Sequence, residues 1–143
     1  MDEWLAKAQN LFPELEGHLF NHHFHDTPID LWIDLDNLLV MAYDETPSND
    51  DLIGRIYDYA DWCFKQPESD DAEILCNAAA LGLIENIPLN LKAADDLYRW
   101  MSIESFQGFE SLFRYHLDTE DAYCRFCDEF MRKKQTYSSP SRI

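Results

Sequence analysis

Residues 27–45 decide the fold class; they read TPIDLWIDLDNLLVMAYDE. Thr27 is a preferred N-cap residue, and Pro28 is favoured at the first position of a helix. Apolar side chains then recur at spacings of three and four residues, which is typical of a helix that is buried on one face. These side chains are Leu31, Trp32, Leu35, Leu38, Leu39 and Ala42. The stretch therefore predicts an amphipathic helix that ends near Glu45.

The same period continues along the rest of the chain, whereas strand-like alternation is nearly absent. Further helices are predicted over residues 2–12, from Pro13 to about His22, from Asn49 to Pro67, from Ser69 to about Asn86 before Pro88, after Asn90, after Ser102, and from Thr119 to Lys134. We therefore predict an all-α fold, a compact bundle of six to eight short antiparallel helices. Helix pairs recur at roughly 35–40 residues, a period that also allows HEAT-like stacking. Residues 1–134 are expected to form one domain, and the polar residues 135–143 are expected to be a disordered tail.

The composition is that of a chain with a single hydrophobic core. It has 143 residues, of which 46% are apolar and 14% aromatic. The start, Met1-Asp2-Glu3-Trp4, has no basic and apolar leader, so no signal peptide is predicted. We also expect no membrane span. The four cysteines are then simplest as reduced thiols, which favours a cytoplasmic location.

The charge is strongly negative and limits the classes of partner. The chain has 28 acidic and 11 basic residues, a net charge of −17. Binding to a phosphate backbone or to an anionic membrane surface requires the opposite sign, so both are disfavoured. A basic protein partner is favoured, because the field of the chain would steer it.

The acidic residues are concentrated in one part of the chain. Residues 26–73 hold 14 of them against only Arg55 and Lys65. We expect this region to bind a partner, with Tyr59 and Trp62 as exposed aromatic anchors near the polar edge of their helix. The predicted partner-binding residues are Asp44, Glu45, Asp50, Asp51, Asp58, Tyr59, Asp61, Trp62, Glu68, Asp70 and Asp71. The alternative interpretation is a solvated surface that only keeps the chain soluble.

One short motif raises the alternative of an enzyme. Residues 32–39, WIDLDNLL, resemble the first motif of haloacid-dehalogenase-type phosphatases, an apolar strand followed by Asp-x-Asp. The resemblance implies a Mg²⁺-dependent phosphatase with Asp34 as nucleophile and Asp36 as acid and base. However, Leu38 stands where that family has Thr or Val, and no parallel strands are predicted. We predict no catalytic residues and no enzyme activity.

Two groups of residues have spacings that could hold a metal. His18 and His22 are four residues apart, and His23 and His25 follow them. Cys124 and Cys127 form a Cys-x-x-Cys pair, but Cys63 and Cys76 are thirteen residues apart and do not supply a second pair. We predict that the cysteines are thiols packed in the core and that the chain binds no cofactor. Whether the histidines bind a metal stays open.

Three stretches carry a resemblance to a known group of proteins: NAAA at 77–80, ENIP at 85–88 and FRYHL at 113–117. Together they resemble small acidic all-helical bacterial proteins, some of which are similar to immunity proteins of polymorphic toxin systems. The resemblance spans about residues 52–131 and implies no catalytic residues. It implies a protein that neutralises a cognate toxin by stoichiometric occlusion. A helical scaffold or adaptor is the alternative, and the oligomeric state stays open.

Overall fold

Helices begin where the sequence places capping side chains. The computed structural model describes residues 2–17 and 26–143. Five of the residues at which the sequence predicts the start of a helix are N-caps, because each side chain accepts a hydrogen bond from a backbone N–H three residues later. They are Thr27, Asn49, Ser69, Ser102 and Thr119. Thr27 forms a capping box, in which its own N–H donates to Asp30 Oδ2 over 3.1 Å. Asn90 caps the helix that begins at Leu91, where its side chain accepts a hydrogen bond from the N–H of Ala93.

The described residues confirm the all-α class. Their α-helices are α1 (Glu3–Leu11), α2 (Glu14–Gly17), α3 (Pro28–Asp44), α4 (Asp50–Phe64), α5 (Asp70–Gly82), α6 (Leu91–Asp96), α7 (Ile103–Gly108), α8 (Glu110–Tyr115) and α9 (Glu120–Thr136). A 3₁₀ helix at Ile84–Leu89 connects α5 to α6, and a second one at Leu97–Arg99 follows α6. Within these residues no strand forms.

Two predicted helices are shorter than the sequence suggests. The helix predicted to end near Asn86 ends at Gly82, and a 3₁₀ helix that includes Pro88 follows it. The Asn86 side chain donates to the carbonyl of Gly82 over 3.2 Å, which satisfies a terminal carbonyl group and favours an early end. The helix after Ser102 breaks at Phe109, directly after Gly108, a poor helix former. The number of α-helical segments in the described residues, nine, therefore exceeds six to eight.

The core is centred on α3, α4 and α5, which pack against one another. All six apolar positions predicted for α3 are buried. The crossing of α3 and α5 depends on a glycine, because a Cβ atom on Gly82 would lie 2.4 Å from Trp32 Cβ. A second group of rings joins α7, α8 and α9, where Phe106 and Phe130 stack with centroids 3.9 Å apart.

The end of the sequence, which is predicted to be a disordered tail, lies against the helices in this structure. Helix α9 continues to Thr136, and the strap, defined here as residues 137–143, returns across the bundle. The N–H of Ser102 donates to the Ile143 carbonyl over 2.7 Å, and Ile143 N–H donates to the Trp100 carbonyl over 3.0 Å. A polar composition is compatible with this docking because polar backbone and side-chain groups of the strap find partners on the bundle.

One stretch is long and apolar enough to cross a membrane by length and composition alone. It covers Asp70–Leu89, with a mean hydropathy of 1.2. A core helix of a water-soluble protein passes the same test, and 39% of the window is buried inside the fold. The stretch also changes from α to 3₁₀ geometry after Gly82. The stretch is weak evidence for a span, and the expectation of no membrane span stays a prediction.

Candidate functional site

Five predicted partner-binding acids contact basic residues of the same chain. Asp50 and Asp51 start α4, and Asp58 and Asp61 lie further along it. The pairs are Asp44–Lys92 at 3.6 Å, Asp50–Arg99 at 2.8 Å, Asp51–Arg55 at 2.9 Å, Asp58–Arg142 at 2.6 Å and Asp61–Lys65 at 2.8 Å. Exposed pairs of this kind add little stability, but each one lowers the local negative charge. Much of the acidic face is therefore neutralised within the chain.

Arg99 connects this face to the interior. It donates to both carboxylate oxygens of Asp50, and these hydrogen bonds hold the pKa of that carboxyl below its usual value. It also binds Asp96, which accepts hydrogen bonds from Tyr43 Oη at 2.7 Å and Trp100 Nε1 at 2.9 Å. Asp50 is thus part of a structural network, and replacing it would disturb more than a surface charge.

The four remaining predicted acids are exposed, and three of them lie together at the α4–α5 connection. Glu68, Asp70 and Asp71 are exposed, as is Glu45, and none forms an ion pair with a described residue. Asp70 and Asp71 occupy the first turn of α5, where the helix dipole favours negative side chains. Glu68 precedes the Ser69 cap.

Two of these acids, Glu68 and Asp71, line a cleft of about 440 Å³, which we call the α1–α5 cleft. It lies among the start of α1, the start of α3, the end of α4 and the start of α5. Its charged lining residues are Asp2, Glu3, Glu68 and Asp71, and its apolar ones are Trp4, Pro28, Trp62, Pro67, Ala72, Ile74 and Leu75. Ile74 is 53% exposed. The cleft thus combines an acidic border with partly exposed apolar walls, which suits a cationic side chain with an aliphatic stem.

The two aromatic residues predicted as anchors have different positions. Trp62 is half-buried, lines the cleft and stacks on Tyr59 with ring centroids 5.7 Å apart. Lys7 Nζ already lies 5.9 Å from its ring centroid, so this indole accepts a cation. The prediction that Tyr59 is exposed is wrong: α1 covers it, and its hydroxyl donates to the Trp4 carbonyl over 3.0 Å.

Sequence reasoning misses the contribution of α1 to the cleft. The helical pattern places Trp4 on the core face, and it gives Asp2 and Glu3 no role. Arg55 holds the first helices against α4 by pairing with Glu14 and donating to the Leu11 carbonyl over 2.7 Å. No local pattern reveals this placement, because the groups that meet are more than 40 residues apart along the chain.

The structure does not provide the context of the phosphatase motif. Residues 32–39 lie inside α3, whereas that motif requires Asp at the end of a strand. Asp34 and Asp36, two residues apart on a helix, point in different directions. Asp34 is 4% exposed, and burial raises the pKa of Asp36 to about 6. The pair does not form a joint acid–base site.

The predicted metal-binding spacings give no site among the described residues. His18, His22, His23 and His25 lie outside the described residues. In the rest of the chain no group of three or more potential ligands is placed to hold a metal. All four cysteines are free thiols. Burial raises the pKa of Cys63 to about 12, so its thiol is protonated at neutral pH.

Comparisons with known proteins do not add a functional assignment. No protein-family model, no curated protein and no solved structure matches the chain.

Proposed function

We propose that the chain is a non-enzymatic acidic binding protein that neutralises a cognate bacterial toxin by stoichiometric occlusion, with the α1–α5 cleft as the primary contact. The observation that carries the proposal is the placement of the unpaired acids. Internal ion pairs occupy the acids along α4, whereas Glu68 and Asp71 line the cleft without an ion pair to any described residue, and the equally unpaired Asp70 lies beside Asp71 in the first turn of α5.

The chemistry of the cleft favours a lysine or arginine side chain of a basic protein. The stem of such a side chain would pack on Trp62 and Ile74, and its charged end would reach the carboxylates at the border. An indole surrounded by polar residues is a common energetic centre of protein interfaces. A toxin is the first partner class to test, because the resemblance of residues 52–131 implies immunity proteins. A basic nuclease offers a suitable surface, since its substrate groove is itself cationic.

The test compares two triple variants with equal charge. The cleft variant carries Glu68→Gln, Asp70→Asn and Asp71→Asn. The control carries Glu104→Gln, Asp121→Asn and Asp128→Asn, which are exposed acids on α7 and α9. Asp121 matches Asp70 and Asp71, because it also lies in the first turn of its helix.

The assay uses the tagged chain as bait for the product of any reading frame adjacent to its gene, at low and at high salt. We expect one basic protein to be captured at low salt, with affinity at least about tenfold lower for the cleft variant and unchanged for the control. Equal binding by the two variants would show that the cleft acids only provide solubility and helix stability. Capture of several unrelated proteins would favour the adaptor alternative.

A further inference from the structure

The strap is held by the contacts that a docked peptide would make. Its backbone forms three hydrogen bonds: Arg142 N–H and Ile143 N–H donate to the Trp100 carbonyl over 2.8 and 3.0 Å, and Ser102 N–H donates to the Ile143 carbonyl over 2.7 Å. Its first ring, Tyr137, packs edge-on against Tyr98. The strap is therefore an extended segment joined to the bundle mainly by polar contacts.

The Arg142 side chain contacts Asp58 on α4, which is one of the residues predicted to bind a partner. Its Nη1 atom lies 2.7 and 2.6 Å from the two carboxylate oxygens of Asp58. Its guanidinium carbon lies 5.8 Å from the ring centroid of Trp100. Beneath it, a Cβ atom on Gly54 would lie 3.6 Å from Arg142 Nη2, so the missing side chain leaves room for the guanidinium. Asp58, Trp100 and Gly54 together form a surface that fits an arginine.

The strap is positioned to open at low cost. The side chains of Arg142 and Asp58 are 46% and 44% exposed, and ion pairs in that range are weak. Ile143 is the strap's apolar contact with the core. Segments with few buried apolar contacts open locally far more often than the whole fold unfolds.

We propose that the strap is an internal occupant of a binding surface on α4, and that this surface takes an extended partner segment with an arginine followed by an aliphatic residue. The strap and the partner segment compete for Asp58 and for the backbone groups of Trp100 and Ser102. A tethered segment acts at a millimolar effective concentration, so the apparent affinity for the partner falls to the intrinsic affinity multiplied by the fraction of molecules in which the strap is open. The proposal rests on the proposed function only in taking the partner to be basic.

The test uses the full chain and a synthetic peptide of residues 137–143, YSSPSRI. Arg142→Gln weakens the strap, and Arg132→Gln is the matched control, because Arg132 is an exposed arginine that pairs with Glu129 at 2.8 Å on α9. We expect the peptide to bind the Arg142→Gln chain about three- to tenfold more tightly than the wild type or the control. Binding is followed by NMR at the Trp100 indole. A peptide with glutamine in place of arginine should bind at least threefold more weakly.

Amide hydrogen exchange at Ser102 shows whether the strap opens, because its N–H donates to the strap. We expect Arg142→Gln to speed this exchange by about the same factor, and Arg132→Gln to leave it unchanged. Faster exchange without peptide binding would mean that the surface binds no segment, and unchanged exchange would mean that Arg142 does not hold the strap; either result overturns the proposal. A wild-type dimer in which each strap binds the other chain would overturn the proposal that the strap occupies the surface of its own chain. None of these measurements needs a toxin or touches the cleft acids, so failure here is separate from failure of the proposed function.

Discussion

Replacing Gly82 with alanine tests the close crossing of α3 and α5 directly. The added Cβ would lie 2.4 Å from Trp32 Cβ and 2.8 Å from Trp32 Cγ. Trp32 Cβ is bonded to the α3 backbone, so rotating the side chain cannot relieve the shorter contact. The two helices must move apart by about 1 Å to reach an ordinary carbon–carbon distance. Such movement would loosen the packing around Trp32, which is 1% exposed.

The magnitude follows from two opposing effects. Overpacking a core costs about 1–3 kcal/mol, and the upper part of that range applies because both clashing groups are attached to backbone. Alanine in place of glycine favours a helix by up to about 1 kcal/mol, but Gly82 is the last residue of α5, so the gain is smaller. We expect Gly82→Ala to lower the free energy of unfolding by about 2 kcal/mol, which corresponds to a fall in Tm of about 4–8 °C.

Gly108 and Gly54 serve as matched controls, and all three variants are compared by urea and thermal unfolding. A Cβ atom on Gly108 would meet no atom within 4 Å, and Gly108 is the last residue of α7, so Gly108→Ala should raise stability by up to about 0.5 kcal/mol. A Cβ atom on Gly54 would lie 3.3 Å from the edge of the Trp100 ring, and a small tilt of that ring should keep the cost of Gly54→Ala below about 1 kcal/mol. If Gly82→Ala were as stable as Gly108→Ala, the close packing of α3 on α5 would be incorrect.

Three further substitutions test buried polar groups. The hydroxyl of Tyr57 is buried and donates to no described group, so Tyr57→Phe should raise the free energy of unfolding by about 1 kcal/mol in urea titrations; a loss above about 1 kcal/mol would reveal a partner. Asp96 accepts hydrogen bonds from three side chains, so Asp96→Ala should lower the free energy of unfolding by about 3 kcal/mol. Asp95→Ala, at the exposed neighbouring residue, should change it by no more than about 0.5 kcal/mol. Equal losses for the two variants would contradict the hydrogen-bond network around Asp96. Burial raises the pKa of Asp36 to about 6 from its ordinary value of 3.8. Between these two values the Asp36 carboxyl keeps its proton in the folded chain but loses it in the unfolded chain. The free energy of unfolding should therefore fall by about 1 kcal/mol as the pH rises from about 4 to 6. Asp36→Asn should remove that part of the pH dependence, and parallel stability curves for the variant and the wild type would refute the shifted pKa.

Local sequence signals predict the helices well, and the errors have identifiable causes. The caps at Thr27, Asn49 and Ser69 are short-range hydrogen bonds, so the residues that form them are neighbours in the sequence. The early end of α5 depends on the Asn86 side chain, which competes with the helix for the Gly82 carbonyl. The period of the apolar residues indicates which face is buried, but not where such competition ends a helix.

The sequence predicts only part of the candidate site. Trp62, Glu68 and Asp71 line one cleft and Asp70 lies beside them, and the exposure of the three acids follows from polar positions near helix ends. Tyr59 shows the limit of this reasoning. Its position at the edge of the apolar face predicts an exposed ring, but α1 packs over it, and that contact depends on a residue 55 positions away.

The all-helical class, the helix starts and the excess of negative charge follow from residue type and from spacings of a few residues, so they can be read directly from the chain. Which acids are available to a partner is a property of the folded molecule alone. Arg99 reaches Asp50 across 49 residues, and Arg142 reaches Asp58 across 84 residues, so the sequence pattern cannot reveal that these charges are paired. The physical reason is that an ion pair depends on distance in space, and folding brings these distant side chains to 2.8 and 2.6 Å.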